Sequence, residues 1–146
     1  MRAFYEKALV DPIIGFIFVD VARLDLDAHV PVIASFWETI LLGARSYGGG
    51  AFAVHARLHA KVGLQAGHFQ RWLGLWSATV DELFAGPRAD LAKAHAVRVA
   101  GAFHHRLQAF PSPLDPQETP RGLVVTQHEP MTKASRNQEA DVTRRN

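Results

Sequence analysis

Three consecutive glycines, Gly48-Gly49-Gly50, break the chain between two helical patterns and open onto Ala51-Phe-Ala-Val-His55-Ala-Arg-Leu-His59. Residues without side chains have nothing to pack and leave the backbone free to turn, so the next segment sets off in its own direction from the preceding helix. The residues bracketing His55, among them Ala51, Phe52, Val54 and Leu58, are small or apolar and set one imidazole in an apolar wall. Such an imidazole either bonds a backbone carbonyl, as half-buried histidines commonly do, or gives a nitrogen to a metal kept away from water, such as haem iron. Local residues leave both readings open.

The stretches on either side of the glycines have helical spacing. From Arg2 to Val10 the residues Phe4, Tyr5, Ala8 and Leu9 share one side. Asp11-Pro12 ends that segment, because proline cannot continue a helix but suits the first position of a new one, with Asp11 as its cap. Pro12 to about Leu24 is therefore expected to be a second short helical piece, apolar all round and buried on every side or set against something other than protein. The clearest amphipathic helix spans roughly Asp27 to Leu42, with Ile33, Phe36, Trp37, Ile40 and Leu41 on one stripe. His29 lies four residues before Ile33 and extends that stripe. Pro31 is early enough to remove only the first hydrogen bonds.

Beyond the histidine segment, Lys61 to Gly67 reads as a loop. A long helix succeeds it, with Phe69, Trp72, Leu73, Trp76, Val80, Leu83 and Phe84 inward, until Gly86-Pro87 stops it. Arg88 to Phe110 reads as another helix, with Leu91, His95, Val99, Phe103 and Leu107 on its inner face, His95 a core or edge histidine and His104-His105 facing solvent. From Pro111 the composition turns to Pro, Ser, Thr, Gln and mixed charge, which predicts a disordered tail over 111–146 after a folded domain over 1–110. Nothing reads as a strand except the isolated Leu123-Val124-Val125.

Composition narrows the function. At 146 residues and 48% hydrophobic, the chain fits one globular domain. It has no cysteine, which removes thiolate metal sites, disulfides and cysteine nucleophiles. Sixteen Lys and Arg stand against fourteen Asp and Glu, spread evenly, so no basic stripe offers itself to nucleic acid. The longest apolar run near the N-terminus, Pro12 to Val19, falls short of the roughly 20 residues that span a bilayer. It also comes after Arg2, Glu6, Lys7 and Asp11 rather than a signal-peptide flank, so neither membrane insertion nor export is expected, and a cytoplasmic location fits.

Taken together, Phe4-Tyr5-Glu6-Lys7, Asp11-Pro12, Ile17-Phe18, His29 ahead of Phe36-Trp37-Glu38, Leu41-Leu42-Gly43, Tyr47-x-Gly49, His55-x-x-Leu58-His59, His68-Phe69-x-x-Trp72-Leu73 and Thr79-Val80-Asp81-x-x-Phe84 resemble, in order and spacing, the third group of the truncated haemoglobins. The resemblance runs from Ala3 to about Phe110. It implies an all-α, truncated globin-like fold, a sandwich of short helices around haem b. It further implies His55 as the iron ligand, His29 as the distal histidine, and Tyr5 and Trp72 as polar aromatics able to bond an iron-bound ligand. Phe18 would wedge against the haem, Ile33, Trp37 and Leu58 would line it, and Tyr47, Arg57 and His59 would meet its propionates. Relatives usually carry a helical lead-in before the Phe-Tyr motif, whereas here Met1 stands four residues ahead of Tyr5, which predicts a less firmly held Tyr5.

The activity implied is binding of dioxygen, nitric oxide and other diatomics, with redox chemistry on them such as nitric oxide detoxification or peroxidase-like turnover, served by an unidentified reductase. Phenol, indole N–H and imidazole can all donate to a partly negative ligand, and three donors favour retention over oxygen delivery. A haem-based sensor or interaction module, and a helical domain without haem, remain the alternatives.

Overall fold

The structure, a computed structural model, describes residues 1–115. Helix α1 (Arg2–Leu9) leads into a π-helical turn (Ile17–Val21), then α2 (Leu26–Leu42), α3 (Ala51–Val62), α4 (Ala66–Leu83) and α5 (Pro87–Leu107). Among the described residues there is no strand. Several boundaries have a clear chemical cause. Asp25 caps α2 by accepting from the Asp27 and Ala28 amides, and Gly43, at φ +69°, ends it in the left-handed conformation that glycine enters without strain. Pro31 lies inside α2 and costs it one early hydrogen bond. Helix α5 starts on Pro87, where the missing amide has no partner to lose.

The expected second helix is instead a turn and one π-helical stretch. Asp11 does cap it, its Oδ1 accepting from the amides of Ile13 and Ile14 at 3.0 and 3.1 Å. The other oxygen, Oδ2, takes the Arg71 guanidinium of α4 at 2.8 Å from Nε and 2.6 Å from Nη2. This clasp ties the corner after α1 to α4, and Asp11 is only 6% exposed within it.

The core gathers around Phe4, 2% exposed, whose ring meets those of Tyr5, Trp72 and Trp76 edge-on at 5.1, 5.6 and 5.5 Å. Burying a side chain of that size contributes about 1.5–3 kcal/mol. Tyr5 is buried beside it, at 5% exposed.

The buried face of α5 differs from the expected one. Ala89, Ala92, Ala96 and Ala100 are buried with Leu107, while Leu91 is 41% exposed. Alanines let α5 approach α4 closely, and the half-buried His95 and Phe103 turn towards α2 and α3. His95 is thus an edge histidine, against the rings of Phe36 and Trp37. His104 does not face solvent as expected: half-buried, it packs on Phe69 at 5.7 Å. Helix α3 runs on to Val62, so the loop expected from Lys61 shrinks to the residues around Gly63. A turn over residues 112–115 sets Leu114 and Ser112 over Gly63. The rest of the expected tail, with Leu123-Val124-Val125, lies outside the described residues.

Candidate functional site

The glycine run sets the site's orientation. Gly49 and Gly50 take φ of +88° and +90°, which a side chain would resist, and the Tyr47 hydroxyl accepts from the Ala51 amide at 3.0 Å, fixing the first turn of α3. One turn later, His55 Nδ1 donates to the Ala51 carbonyl at 2.8 Å. A carbonyl only accepts, so the proton sits on Nδ1 and Nε2 keeps a free lone pair. Burial holds the His55 pKa below the ordinary imidazole value, against the pull of the Ala51 carbonyl. The Phe103 ring of α5 steadies the imidazole at 4.8 Å.

From α2 comes a second imidazole. His29 Nε2 lies 2.6 Å from the Tyr5 hydroxyl, their rings perpendicular at 5.1 Å. Burial pushes the His29 pKa down, and repulsion from His55 pushes it further. Burial also pushes the Tyr5 phenol well up, so it stays protonated. Phe18, on the π-helical turn that packs against α3, meets the Tyr5 ring edge-on at 6.0 Å. Ile33, Leu58 and Trp72 are half-buried and pack against the core cluster to which Tyr5 belongs. No hydrogen bond among the described residues engages the Trp72 indole, which lies parallel to Trp76 at 5.8 Å.

Other candidates sit elsewhere. Trp37 is buried and stacked on Trp76 at 4.5 Å, within the core. Tyr47 is occupied as the α3 cap and packs on Phe36. Arg57 is exposed. His59 is 5% exposed, its Nδ1 has no partner among the described residues, and it borders a separate cavity of about 260 Å³ that also takes in Gly63, His104 and Leu114. His68 accepts the Gln65 amide at its Nδ1 and so caps α4. Two contributors were not read from the sequence as part of the site, Arg71 and Phe103. Phe103 falls at a helical register position and carried a signal; Arg71 pairs with a residue 60 positions away, which no local pattern reveals.

No protein-family profile and no curated protein matches the chain. Among solved structures it is similar to a group III truncated hemoglobin from Campylobacter jejuni, at 26% sequence identity and a TM-score of 0.63, over 73% of this chain and 84% of that one. Among the described residues no helix is long and apolar enough to cross a membrane, and no group of three or more His, Asp or Glu side chains is placed to hold a metal ion. The resemblance read from the sequence thus holds in the fold: this chain is an all-α protein of the truncated-globin fold, similar to a group III truncated hemoglobin.

Proposed function

We propose that the protein binds haem b through His55 and uses it to hold dioxygen, nitric oxide or another diatomic for redox chemistry rather than for oxygen delivery. One observation carries this reading. The Ala51 carbonyl fixes His55 as the tautomer with a free Nε2, in the same domain that bonds His29 to Tyr5. A lone imidazole nitrogen would suit an iron whose remaining protein-independent ligands a porphyrin supplies. Half-buried Phe18, Ile33 and Leu58 offer the apolar contacts a flat macrocycle needs. Trp37 supports the distal helix from within the core, and Tyr47 and His59 act on the frame of α3.

Haem b, when bound, supplies an iron that takes a diatomic gas and exchanges electrons with it. The chain's own part is to orient and polarise. The unengaged Trp72 indole is one fixed donor, and the protonated Tyr5 hydroxyl is a second when His29 carries its proton on Nε2 and donates it to the Tyr5 oxygen. Donors held by packing lose little entropy when they bond a ligand. Such a pocket favours retention of the gas, and turnover then needs electrons from a reductase. The similar hemoglobin and the absence of a spanning helix among the described residues agree with a cytoplasmic role.

The test is titration of the full chain with haem, monitored by absorbance, and then mixing of the dioxygen-loaded protein with nitric oxide. A one-to-one endpoint with rapid consumption of nitric oxide supports the proposal. A one-to-one endpoint with no such reaction points to a haem-based sensor, and the absence of any endpoint to a helical domain without haem.

A further inference from the structure

All three tryptophans of the chain fall in one aromatic cluster beside the pocket. Trp37 and Trp76 stack at 4.5 Å and 12°, and Trp76 and Trp72 lie parallel at 5.8 Å and 4°. Phe4 touches both Trp72 and Trp76 and hands the contact on to Tyr5 at 5.1 Å. Trp37 and Trp76 also line an apolar groove of about 270 Å³ that includes the exposed Leu83 and Phe84. The cluster therefore runs from the surface to the phenol that bonds His29.

Two features of this cluster exceed what packing requires. The Trp76 Nε1–H is buried with no acceptor among the described residues. An unpartnered buried N–H is a cost that a phenylalanine would avoid. The second is the Tyr5–His29 bond, at 2.6 Å between a buried phenol and an imidazole. A buried phenol cannot give up an electron alone, because the radical cation left behind is far too acidic and too poorly solvated. It can do so when a base already hydrogen-bonded to it takes the proton in the same event.

We propose that Tyr5 is a redox-active tyrosine, coupled through the indole cluster to the surface and through its hydroxyl to His29. A one-electron oxidant, an inorganic radical of the type that nitrogen-oxide chemistry yields, takes an electron from an indole and leaves a radical cation. At Trp76 that cation keeps its N–H proton, since no described side chain accepts it, and so stays strongly oxidising. One electron then passes from Tyr5 to the oxidised indole, which returns to its neutral closed-shell form. In the protein without haem, with His29 as the Nδ1–H tautomer, the phenolic proton moves to the free Nε2, giving a neutral phenoxyl and an imidazolium, and the total charge is unchanged. The pocket thereby stores one oxidising equivalent on protein. The relay uses only this chain's side chains, so it stands apart from the haem reading and is testable without haem.

The experiment is pulse radiolysis of the full chain without added haem, with azidyl radical as the oxidant of the indoles. The expected record is an indolyl band that decays as a phenoxyl band grows, at a rate independent of protein concentration and slowed in deuterated water. Two tyrosines are present, so Tyr47→Phe must keep the growth and Tyr5→Phe must abolish it. His29→Leu must slow the growth, because it removes the proton acceptor. Tyr5→Phe keeps the ring that packs on Phe4, and an unchanged far-ultraviolet circular dichroism spectrum verifies its fold. Phenoxyl growth that survives Tyr5→Phe, or that is as fast in His29→Leu, overturns the proposal.

Discussion

Replacing Asp11 by alanine should unfasten the corner that holds α1 and Tyr5 against α4. The side chain makes two kinds of bond, both lost at once. Its Oδ1 accepts the amides of Ile13 and Ile14, a cap whose removal costs about 0.5–2 kcal/mol. Its Oδ2 takes two nitrogens of Arg71, and a charge-assisted pair of this kind is worth about 1.5–3 kcal/mol. The Arg71 side chain is 42% exposed and regains water easily, so the lower end applies to the pair. The expected loss is about 2–4 kcal/mol, or roughly 10–20 °C in the thermal midpoint of a domain this size. Asp11→Asn keeps an acceptor for the amides and loses the charge, and should fall between. The Arg71 hydrogen bond, helped by the two amides and opposed by burial, holds the Asp11 carboxyl below its ordinary value of 3.8. A carboxyl depressed on folding adds stability that is complete above its unfolded value and is lost as pH falls through the folded one. The wild-type midpoint should therefore drop in acid below about pH 4, and part of that drop should vanish in Asp11→Asn. Urea unfolding monitored by tryptophan fluorescence measures all three proteins. A loss under about 0.5 kcal/mol in Asp11→Ala would refute the clasp.

The geometry makes three further outcomes expected. Gly63→Ala should destabilise by about 1–2 kcal/mol, because it stands at φ +63° and a Cβ there meets Leu114 at 2.6 Å; thermal unfolding measures it, with a neutral effect counting against the contact. A chain ending at residue 110 should melt below one ending at residue 115, since only the longer keeps Leu114 and Ser112 over Gly63. In the haem-loaded protein, Trp72→Phe should speed dioxygen dissociation roughly ten- to a hundredfold, as loss of one buried donor costs about 1.5–3 kcal/mol. His29→Leu should change it less, and stopped-flow rates on the two variants decide the order.

Where side chains are large and periodic, the sequence was legible. The stripe Ile33–Phe36–Trp37–Ile40–Leu41, the cap at Asp11, the stop ahead of Gly86-Pro87 and the break at the glycines all lie where local pattern puts them. It misled where the packing residue is small. The inner face of α5 is written in alanines, whose weak apolar signal was outweighed by Leu91 and Val99 at equally regular spacing. The π-helical turn was hidden because Ile13 to Val21 is apolar at nearly every position and has no period to read. At the site, the family resemblance brought Tyr5, Phe18 and His29 together, as the structure also does. That Tyr5 and His29 bond each other, and that Arg71 pairs with Asp11, depends on contacts across 24 and 60 residues, which only the fold creates.

The central claim is that His55 Nε2 is the nitrogen offered to iron, and its most direct test is resonance Raman spectroscopy of the haem-loaded His55→Gly variant with and without free imidazole. Glycine leaves a hole in place of the ring while His59 and His68 remain. The account predicts that the iron–histidine stretch of the wild-type ferrous protein disappears in the variant and returns when imidazole fills the hole. An iron–histidine stretch that persists in His55→Gly without imidazole would place the ligand on another histidine and contradict the account.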